Sequence, residues 1–296
     1  MASLKDIKRH ISAVKQTQKL TRAMNMVAAA KLRATQNRTE RFRYYADEHA
    51  RLIQEIADRS PVEASSLLSP VEDSQKALIL AISSDRGLCG SFNSNIFSTL
   101  DKAVVRLIDE GLEPELFLIG RKARDYYLRR KITIHKAMVG VLGEMDYLAA
   151  QLIANELIES YSAGNYKEIW LLYTRFQSLS RLRVEFDRFL PLGQEESDQK
   201  AGPSELNPEA LDYLVEPKAE ILLPRLIPRS LTILIYRALL ESVTSENAAR
   251  MQAMDNASKS CKDIIESLTM AYNKARQAAV TSELLDIVNG AEALRG

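Results

Sequence analysis

The sequence predicts an α/β fold in which a long antiparallel coiled coil of the N- and C-terminal helices carries an inserted Rossmann-like α/β domain. Residues 3–60 and residues 229–289 contain neither Gly nor Pro, so nothing in either stretch forces a helix to end. Between them, short apolar runs alternate with helical patterns, which is typical of a parallel sheet covered by helices. We expect three domains: an N-terminal coiled-coil helix (1–60), the α/β domain (76–192) and a C-terminal coiled-coil helix (208–290).

The N-terminal helix starts with an uninterrupted apolar repeat on one face, and the same face then carries polar residues. The repeat consists of Leu4, Ile7, Ile11 and Val14. It then passes through Gln18 and Thr21, while a rotated stripe is formed by Leu20, Met24, Val27 and Ala30. The segment Met26–Ala30 is small and apolar on every side, and a helix of that kind is enclosed by other protein. We expect another chain to enclose it.

The same helix is strongly basic. Residues 1–43 hold eleven Lys or Arg against two acidic residues, Asp6 and Glu40, although the whole chain has a net charge of only +1. A basic helix of this kind favours an acidic partner, which could be protein, nucleic acid or lipid headgroups.

The middle of the chain follows the pattern of an α/β domain. Residues 61–75 form a polar linker with two prolines, and 192–207 form an exposed loop. The predicted strands are 76–82, 115–119, 132–136, 168–176 and 183–189, and the predicted helices run from the turn at 84–90 to about Ile108, then over 121–130 and 144–160. The last two strands have no helix between them, which indicates a hairpin at one edge of the sheet.

The C-terminal helix carries an apolar repeat averaging 3.5 residues, the signature of a coiled coil. Its predicted seam is Ala257, Cys261, Ile264, Leu268, Ala271, Ala275, Ala278 and Leu285, preceded by Ile233, Tyr236, Leu240, Val243 and Met254, with interruptions at Asn247 and Arg250. Many of these residues are Ala, so the partner helix can approach closely.

The turn Ser83–Ser91 is the main candidate for chemistry. Its glycines could cradle a phosphate after a strand, but the spacing matches no phosphate-loop pattern. Alternatively, Cys89 could be a nucleophile with His135 as its base. A structural turn that also touches a neighbouring protein is the favoured interpretation.

Composition narrows the remaining classes of function. The three histidines have no metal-ligand spacing, and no apolar run approaches the ~20 residues of a membrane span. Because Lys5, Lys8 and Arg9 begin a helical pattern without an apolar core, we expect no signal sequence. Cys89 and Cys261 lie in contexts that predict burial, which suits a reducing compartment. We expect no catalytic residue, no metal and no cofactor.

Five sequence blocks resemble one known family. They are 7–32 (Ile-Lys-Arg-His-Ile … Met-Val-Ala-Ala-Ala-Lys-Leu), 84–90 (Ser-Asp-Arg-Gly-Leu-Cys-Gly), 245–251 (Ser-Glu-Asn-Ala-Ala-Arg-Met), 272–277 (Tyr-Asn-Lys-Ala-Arg-Gln) and 280–293 (Val-Thr-Ser-Glu-Leu-Leu-Asp-Ile-Val-Asn-Gly-Ala-Glu-Ala). In this order and over nearly the whole chain, they are similar to the gamma subunit of F-type ATP synthases.

The resemblance implies a non-catalytic central rotor stalk, which couples rotation of the c-subunit ring to conformational changes at the beta-subunit catalytic sites. It implies hydrogen ion transport and ATP synthesis or hydrolysis by the F1 sector, with three alpha and three beta subunits, the epsilon subunit and the c ring as partners. No nucleic acid is implied, and membrane contact runs only through partners. The expected location is peripheral, at the cytoplasmic face of the bacterial inner membrane.

The resemblance also implies interaction residues. Arg22 and Met24 would lie near the acidic lever of the beta subunits, Arg250, Gln277 and Thr281 would touch alpha or beta loops, and Tyr213 and Glu216 would face the c ring. The remaining expected subunit contacts are Met26, Val27, Arg86, Glu283, Leu284, Leu285 and Val288.

Two alternatives from other classes stay open at this point. A basic coiled-coil nucleic-acid-binding protein would show tight, salt-sensitive binding to DNA or RNA, although residues 1–41 contain no aromatic side chain to stack on bases. An enzyme with Cys89 as nucleophile would lose its activity in the variant Cys89→Ala.

Overall fold

A computed structural model describes residues 4–58, 67, 71, 74–130, 132–144, 146–192 and 219–293. Most of the predicted linker 61–75, the predicted loop beyond Leu192, the first part of the predicted C-terminal segment, Tyr213 and Glu216 lie outside the described residues. The elements, in order, are α1 (Leu4–Asp58), β1 (Lys76–Ile82), α2 (Phe92–Asp109), β2 (Glu113–Ile119), α3 (Arg121–Tyr127), β3 (Thr133–Met138), α4 (Val141–Glu144), α5 (Tyr147–Ser162), β4 (Glu168–Ser178), β5 (Arg181–Leu190) and α6 (Ala219–Ala293).

The five strands form one sheet in the order β3-β2-β1-β4-β5. The pairs β3–β2, β2–β1 and β1–β4 are parallel, and β4 and β5 form an antiparallel hairpin at the edge. The α/β fold, the mostly parallel sheet and the edge hairpin are therefore confirmed. Every residue of β1 from Ala77 to Ile82 is buried, as expected for a central strand covered on both faces.

Two predicted helix boundaries were wrong. The helix predicted over 144–160 corresponds to α5, which begins at Tyr147 after its N-cap Asp146 and ends at Ser162, and a short separate helix, α4, precedes it. Asp146 has an extended backbone and caps α5, because its carboxylate accepts a hydrogen bond from the Leu148 N–H at 3.2 Å. The helix predicted to reach Arg130 ends at Tyr127.

The chain divides into two compact units, Met1–Lys31 with Arg250–Gly296, and Leu32–Ala249. In the larger unit, alternate residues of β1 enter two different cores. Leu78, Leu80 and Ile82 pack with apolar residues of α5 and α6, whereas Ala77, Ile79 and Ala81 pack with α2 and α3.

Helix α6 also closes the carboxyl end of this sheet. The pairing of β1 with β4 ends at Leu172, but β4 continues to Ser178, so its next main-chain groups lack a partner in β1. Side chains of α6 satisfy them: the hydroxyl of Ser242 accepts from Thr174 N–H at 3.3 Å, and the hydroxyl of Ser245 donates to Thr174 O at 3.1 Å. The carboxylate of Glu241 accepts from Phe176 N–H at 2.9 Å.

Burial corrects the prediction of a coiled coil along the whole of α6. The predicted seam residues from Ile233 to Val243 are buried, but so is every residue from Ala238 to Ala249. This stretch is therefore a core helix enclosed on all sides within the Leu32–Ala249 unit, since a two-stranded coiled coil would bury one side only.

In the smaller unit, α1 and α6 do form an antiparallel pair. Side-chain amides of α1 donate to main-chain carbonyls of α6, from Gln18 to Ser258 O at 3.4 Å and from Asn25 to Met251 O at 2.8 Å. The donors are seven residues apart, and so are the acceptors. This is the heptad spacing of a coiled coil.

The observed seam of α6 differs from the predicted one at alternate positions. Met254 and Cys261 are buried, and the partly buried residues that continue the line are Ala257, Ser258, Ile265, Leu268, Tyr272, Ala275 and Ala279. The predicted seam residues Ile264 and Leu285 are 45% and 56% exposed, and Ala271 and Ala278 are exposed too. Both series have the same spacing, and the observed one encloses Ile265 in place of Ile264 and the larger Tyr272 in place of Ala271.

Candidate subunit-interaction surfaces

The first surface is the outer side of α1 in the Met1–Lys31 and Arg250–Gly296 unit. Gln18, Thr21 and Asn25 lie toward the seam, while aliphatic side chains of the same helix point away from it. Leu20, Met26 and Val27 are 61, 65 and 57% exposed. This is the reverse of an ordinary amphipathic helix, and an exposed apolar group of this kind marks a surface that other protein covers. Of the predicted rotated stripe, Leu20, Val27 and Ala30 are exposed outside the seam, and Met24 is half-buried.

The basic residues of α1 lie on the same outer side. Lys5, Lys8, Arg9, Lys15, Lys19, Arg22 and Lys31 are all exposed. Asp6 is the one acidic residue among the described residues 4–31. The outer surface of α1 therefore combines positive charge with aliphatic contact area, which suits an acidic protein surface.

The second surface is the last part of α6. Ala279 is its last partly buried residue, and every residue from Val280 to Ala291 is exposed. The exposed aliphatic side chains there are Val280 (50%), Leu284 (58%), Leu285 (56%), Ile287 (68%) and Val288 (53%). They point to more than one side of the helix, so one flat partner surface would not cover them.

The structure distributes the predicted interaction residues over both units. Arg22, Met26, Val27, Gln277, Thr281, Glu283, Leu284, Leu285 and Val288 are exposed, and Met24 and Arg250 are half-buried. Thr281 turns its hydroxyl to Gln277 O within the helix, at 2.9 Å. Arg86 is exposed in the larger unit. Tyr213 and Glu216 lie outside the described residues.

Sequence reasoning missed some exposed apolar residues that belong with these surfaces. Met270 is 68% exposed on α6, and Leu88 is 63% exposed in the turn after β1. Met270 lies off both seam series, and such a position could have been found by asking which apolar residues fall outside the heptad. Leu88 has a positive φ of 63°, and no residue pattern signalled it.

The third surface is the turn Ser83–Ser91, and its contacts are structural. The carboxylate of Asp85 accepts from the N–H of Arg121 at 3.0 Å and of Gly140 at 3.1 Å, which ties the carboxyl ends of β1, β2 and β3 together. A Cβ at Gly120 would lie 2.4 Å from Ser83 O, and its φ is +98°, so only glycine fits there. Ser83 also accepts from Ala123 N–H at 3.0 Å.

Cys89 is not placed as a nucleophile. It is buried, as predicted, and the side-chain amide of Asn93 donates to its sulfur at 3.2 Å. Its proposed base, His135, lies on the other face of the sheet, 3.1 Å from the hydroxyl of Tyr166 and beside Phe117. Cys89 belongs to the core under α2 and α3, and Phe117 and Tyr166 belong to the opposite core. The hypothesis of a Cys89–His135 pair was wrong.

The structure also argues against a phosphate-binding loop at Ser83–Ser91, whose glycine spacing already matches no phosphate-loop pattern. In open parallel sheets, ligands bind beyond the carboxyl ends of strands where the strand order reverses, which here lies between β1 and β4. Glu241, Ser242 and Ser245 of α6 occupy the β4 side of that position. Among the described residues, no group of His, Cys, Asp and Glu could hold a metal ion.

Comparison with known proteins gives consistent matches over the whole chain. The family model described as ATP synthase matches residues 3–294. The chain is 41% identical to the ATP synthase gamma chain of Syntrophobacter fumaroxidans over 100% of both chains, and 42% identical to that of Syntrophus aciditrophicus over 99% of both. A structure of the Euglena gracilis mitochondrial ATP synthase (OSCP/F1/c-ring, rotational state 3) contains a chain with a TM-score of 0.69 at 18% identity, covering 98% of this chain and 94% of that one. At this identity, the structural likeness bears on the fold.

Proposed function

The chain belongs to the ATP synthase gamma-chain family, and we propose that it is the non-catalytic central rotor stalk of the proton-translocating F-type enzyme. It couples rotation of the c-subunit ring to conformational changes at the beta-subunit catalytic sites, during synthesis or hydrolysis of ATP. Its partners are three alpha and three beta subunits, the epsilon subunit and the c ring. One observation carries this proposal: α1 turns Gln18, Thr21 and Asn25 toward its seam with α6 and presents aliphatic and basic side chains outside.

The chemistry of these surfaces supports the coupling role. α1 offers basic and aliphatic groups, and the last part of α6 offers aliphatic groups on more than one side. A stalk with different sides contacts three identical subunits unequally, and only differential contacts bias an equilibrium between open and closed states. The positive charges attract acidic segments of the beta subunits, but exposed ion pairs are individually weak and let the stalk turn.

We assign the subunit contacts accordingly. Arg22 and Met24 act near the acidic lever of the beta subunits, and Arg250, Gln277 and Thr281 meet alpha or beta loops. The aliphatic contacts with the surrounding ring are Met26, Val27, Leu284, Leu285 and Val288, with Glu283 beside them. Arg86 lies at the contact turn of the α/β domain, and Tyr213 and Glu216 face the c ring.

We further propose residues 1–60 and 208–290 as the stalk helices and 76–192 as the α/β domain that meets epsilon and the c ring. No helix among the described residues has the length and apolarity needed to cross a membrane. The protein is peripheral to the membrane and contacts it through its partners. The bacterial relatives support a location at the cytoplasmic face of the inner membrane.

Reconstitution tests this function. Alpha and beta subunits are mixed with and without this chain, and the products are sized and assayed for ATP hydrolysis. We expect one copy to enter a complex with three of each subunit and hydrolysis to rise. If the chain runs alone and adds no activity, the rotor proposal fails, and a nucleic-acid binding assay of the basic helix becomes the next experiment.

Paired variants connect this test to the surface on α1. Met26→Glu with Val27→Glu places charge in the aliphatic part of that surface, and we expect weaker assembly with alpha and beta at an unchanged melting temperature. The matched control is Val105→Glu with Ile108→Glu on α2, where the side chains are 57% and 55% exposed. Equal loss of assembly in both double variants would contradict the assignment of Met26 and Val27.

A further inference from the structure

Two adjoining hollows in the Leu32–Ala249 unit form a groove, which we call the α1–α5 groove. One hollow, of about 480 Å³, includes Arg38, Arg41 and Tyr45 of α1, and the other, of about 510 Å³, includes Tyr45, Tyr147 of α5 and Arg229 of α6. Tyr45 lines both hollows.

Aromatic rings make the floor of the groove. The ring of Tyr236 lies edge-on to Phe42 at a centroid distance of 4.7 Å and to Tyr147 at 5.4 Å. Tyr45 is 42% and Tyr147 is 37% exposed, so both rings offer contact area to a ligand. The neighbouring face of α5 adds Leu148 and Leu152, which are 56% and 58% exposed.

Three arginines give the groove its charge. The guanidinium of Arg38 lies 5.5 Å from the centroid of Tyr236, and that of Arg229 lies 3.4 Å from the Tyr45 hydroxyl. The structure shows no ion pair between Arg38, Arg41 or Arg229 and a carboxylate of the described residues. Burial lowers the pKa of His49, and the positive charge of Arg229 lowers it further, which reflects the positive field on this side.

The nearby carboxylates are already engaged elsewhere. Asp47 pairs with Arg237 at 2.8 Å, and Glu48 pairs with Arg51 at 3.0 Å. Glu40 accepts a hydrogen bond from the Gln36 side chain at 2.9 Å. The groove therefore holds three positive charges that the described part of the unit does not neutralise.

We infer that the α1–α5 groove binds an acidic peptide segment of another subunit of the assembly, with carboxylates on Arg38, Arg41 and Arg229 and an apolar side chain against the Tyr45 and Tyr147 rings. Arginine is suited to this because its guanidinium pairs with a carboxylate through two parallel hydrogen bonds. All three arginines are exposed in the unbound chain, and a peptide docked against the aromatic rings would take them partly out of water, which strengthens such pairs. The inference rests on the proposed function, because that function supplies the assembly.

The described lining favours a peptide over a free phosphate compound. Both hollows are lined by the sides of helices, whereas phosphate sites usually use main-chain N–H groups at a helix N-terminus or a glycine-rich turn. The exposed leucines of α5 also extend the contact area beyond what a small anion would cover.

Site-specific photo-crosslinking in the assembled enzyme tests the inference. A photoreactive phenylalanine derivative replaces Tyr45, and crosslinked products are identified by mass spectrometry. The control position is Tyr44, which is 73% exposed and does not line either hollow. We expect a crosslink from position 45 to an acidic stretch of a partner subunit, and not from position 44 to the same stretch.

Charge reversal provides the second readout. Arg38→Glu with Arg41→Glu lowers the yield of that crosslink about tenfold, as does high salt, because both remove charge complementarity. The control Arg129→Glu, exposed after α3, leaves the yield unchanged. A crosslink to a segment without carboxylates, to lipid or to nucleic acid would overturn the inference, and so would no crosslink in an enzyme that assembles. Failure to assemble with alpha and beta would instead count against the proposed function.

Discussion

Helix α6 contributes to both compact units, but its surroundings differ between them. In the Leu32–Ala249 unit, residues Ala238–Ala249 are buried on every side, and four polar residues among them, Glu241, Ser242, Thr244 and Ser245, bond to the sheet or to α1. In the other unit, α6 buries only one line of residues against α1. The first stretch is buried by residues of its own chain, whereas the second exposes aliphatic side chains that partner subunits can cover. Burial of polar groups thus marks the part that determines folding, and exposure of apolar groups marks the part that determines assembly.

The largest effect on stability is expected for Glu241→Ala in the enclosed stretch. The Glu241 side chain is 1% exposed, accepts from Arg43 Nε at 3.0 Å and accepts from Phe176 N–H at 2.9 Å. Within the described part of the chain, its removal leaves the buried Phe176 N–H without a partner and the Arg43 guanidinium with only Phe176 O at 3.2 Å, which costs about 3–5 kcal/mol in the free energy of unfolding. Chemical denaturation of the purified chain measures this loss. The control Glu266→Ala removes an exposed partner of Lys262, and we expect a change within about 0.5 kcal/mol.

A smaller effect on stability is expected at the polar positions where α1 contacts α6. Asn25→Ala removes the amide that donates to Met251 O, and we expect a loss of about 1 kcal/mol. The measurement is the same denaturation experiment, with Asn273→Ala as the control because Asn273 is exposed on α6. If Asn25→Ala lost no more stability than Asn273→Ala, the Asn25 amide would contribute nothing measurable to the pairing of α1 with α6. Polar side chains would then stabilise only the larger unit, and the two units would differ more than we describe.

A pH-dependent effect is expected in the sheet of the larger unit. Burial acts to raise the pKa of Glu115, but hydrogen bonds from Lys76 and Tyr166, with the charges of Lys76 and His135, outweigh it and hold the pKa below its ordinary value of 4.5. A lowered pKa in the folded state stabilises the protein above pH 4.5, and this contribution is lost as the pH falls through the folded pKa.

Glu115→Gln removes this contribution. The difference in free energy of unfolding between wild type and Glu115→Gln should be larger at pH 7 than at pH 3, by less than about 1 kcal/mol because the group is partly solvated. The exposed neighbour Glu113 gives the control Glu113→Gln. A difference that grows toward pH 3 would contradict the assigned direction.

The smallest effect on stability is expected from truncation after Leu284. The residues removed are exposed wherever their side chains are described, so the melting temperature should change by less than about 2 °C. Coupling should fall far more, because Leu285, Ile287 and Val288 are 56, 68 and 53% exposed and add little to the core of their unit. ATP-driven proton pumping per ATP hydrolysed measures coupling in reconstituted vesicles. A matched drop in thermal stability and coupling would show that this end is part of the folded core.

Much of the fold could be predicted because local patterns decide it. The absence of Gly and Pro predicted both long helices, and the alternation of apolar runs with helical patterns predicted the succession of strands and helices along the chain. The choice between Ile264 and Ile265 in the seam could not be predicted, because both series have the same spacing and only the opposing helix distinguishes them. The helix predicted within 208–290 is observed as α6 from Ala219, and it includes Pro228, although proline is unfavourable inside a helix.

The candidate sites also include features that the sequence predicts and features that depend on how the chain packs. The outward stripe of Leu20 and Val27 could be predicted, because apolar residues outside a heptad line are visible in the sequence. The separation of Cys89 from His135 could not, because the face of the sheet on which a residue lies depends on strand register. The α1–α5 groove combines residues from α1, α5 and α6 that are distant in the sequence. No motif connects them, so only the packing of the unit reveals it.

The bonds from Glu241, Ser242 and Ser245 to the end of β4 have a further consequence. A ligand site at this end of a sheet is normally filled from solution, at whatever concentration the cell provides. Here the occupant is part of the same chain, so its effective concentration is set by the connection and not by supply. The position behaves as a permanently occupied binding site, and its affinity has become part of the folding free energy of the unit.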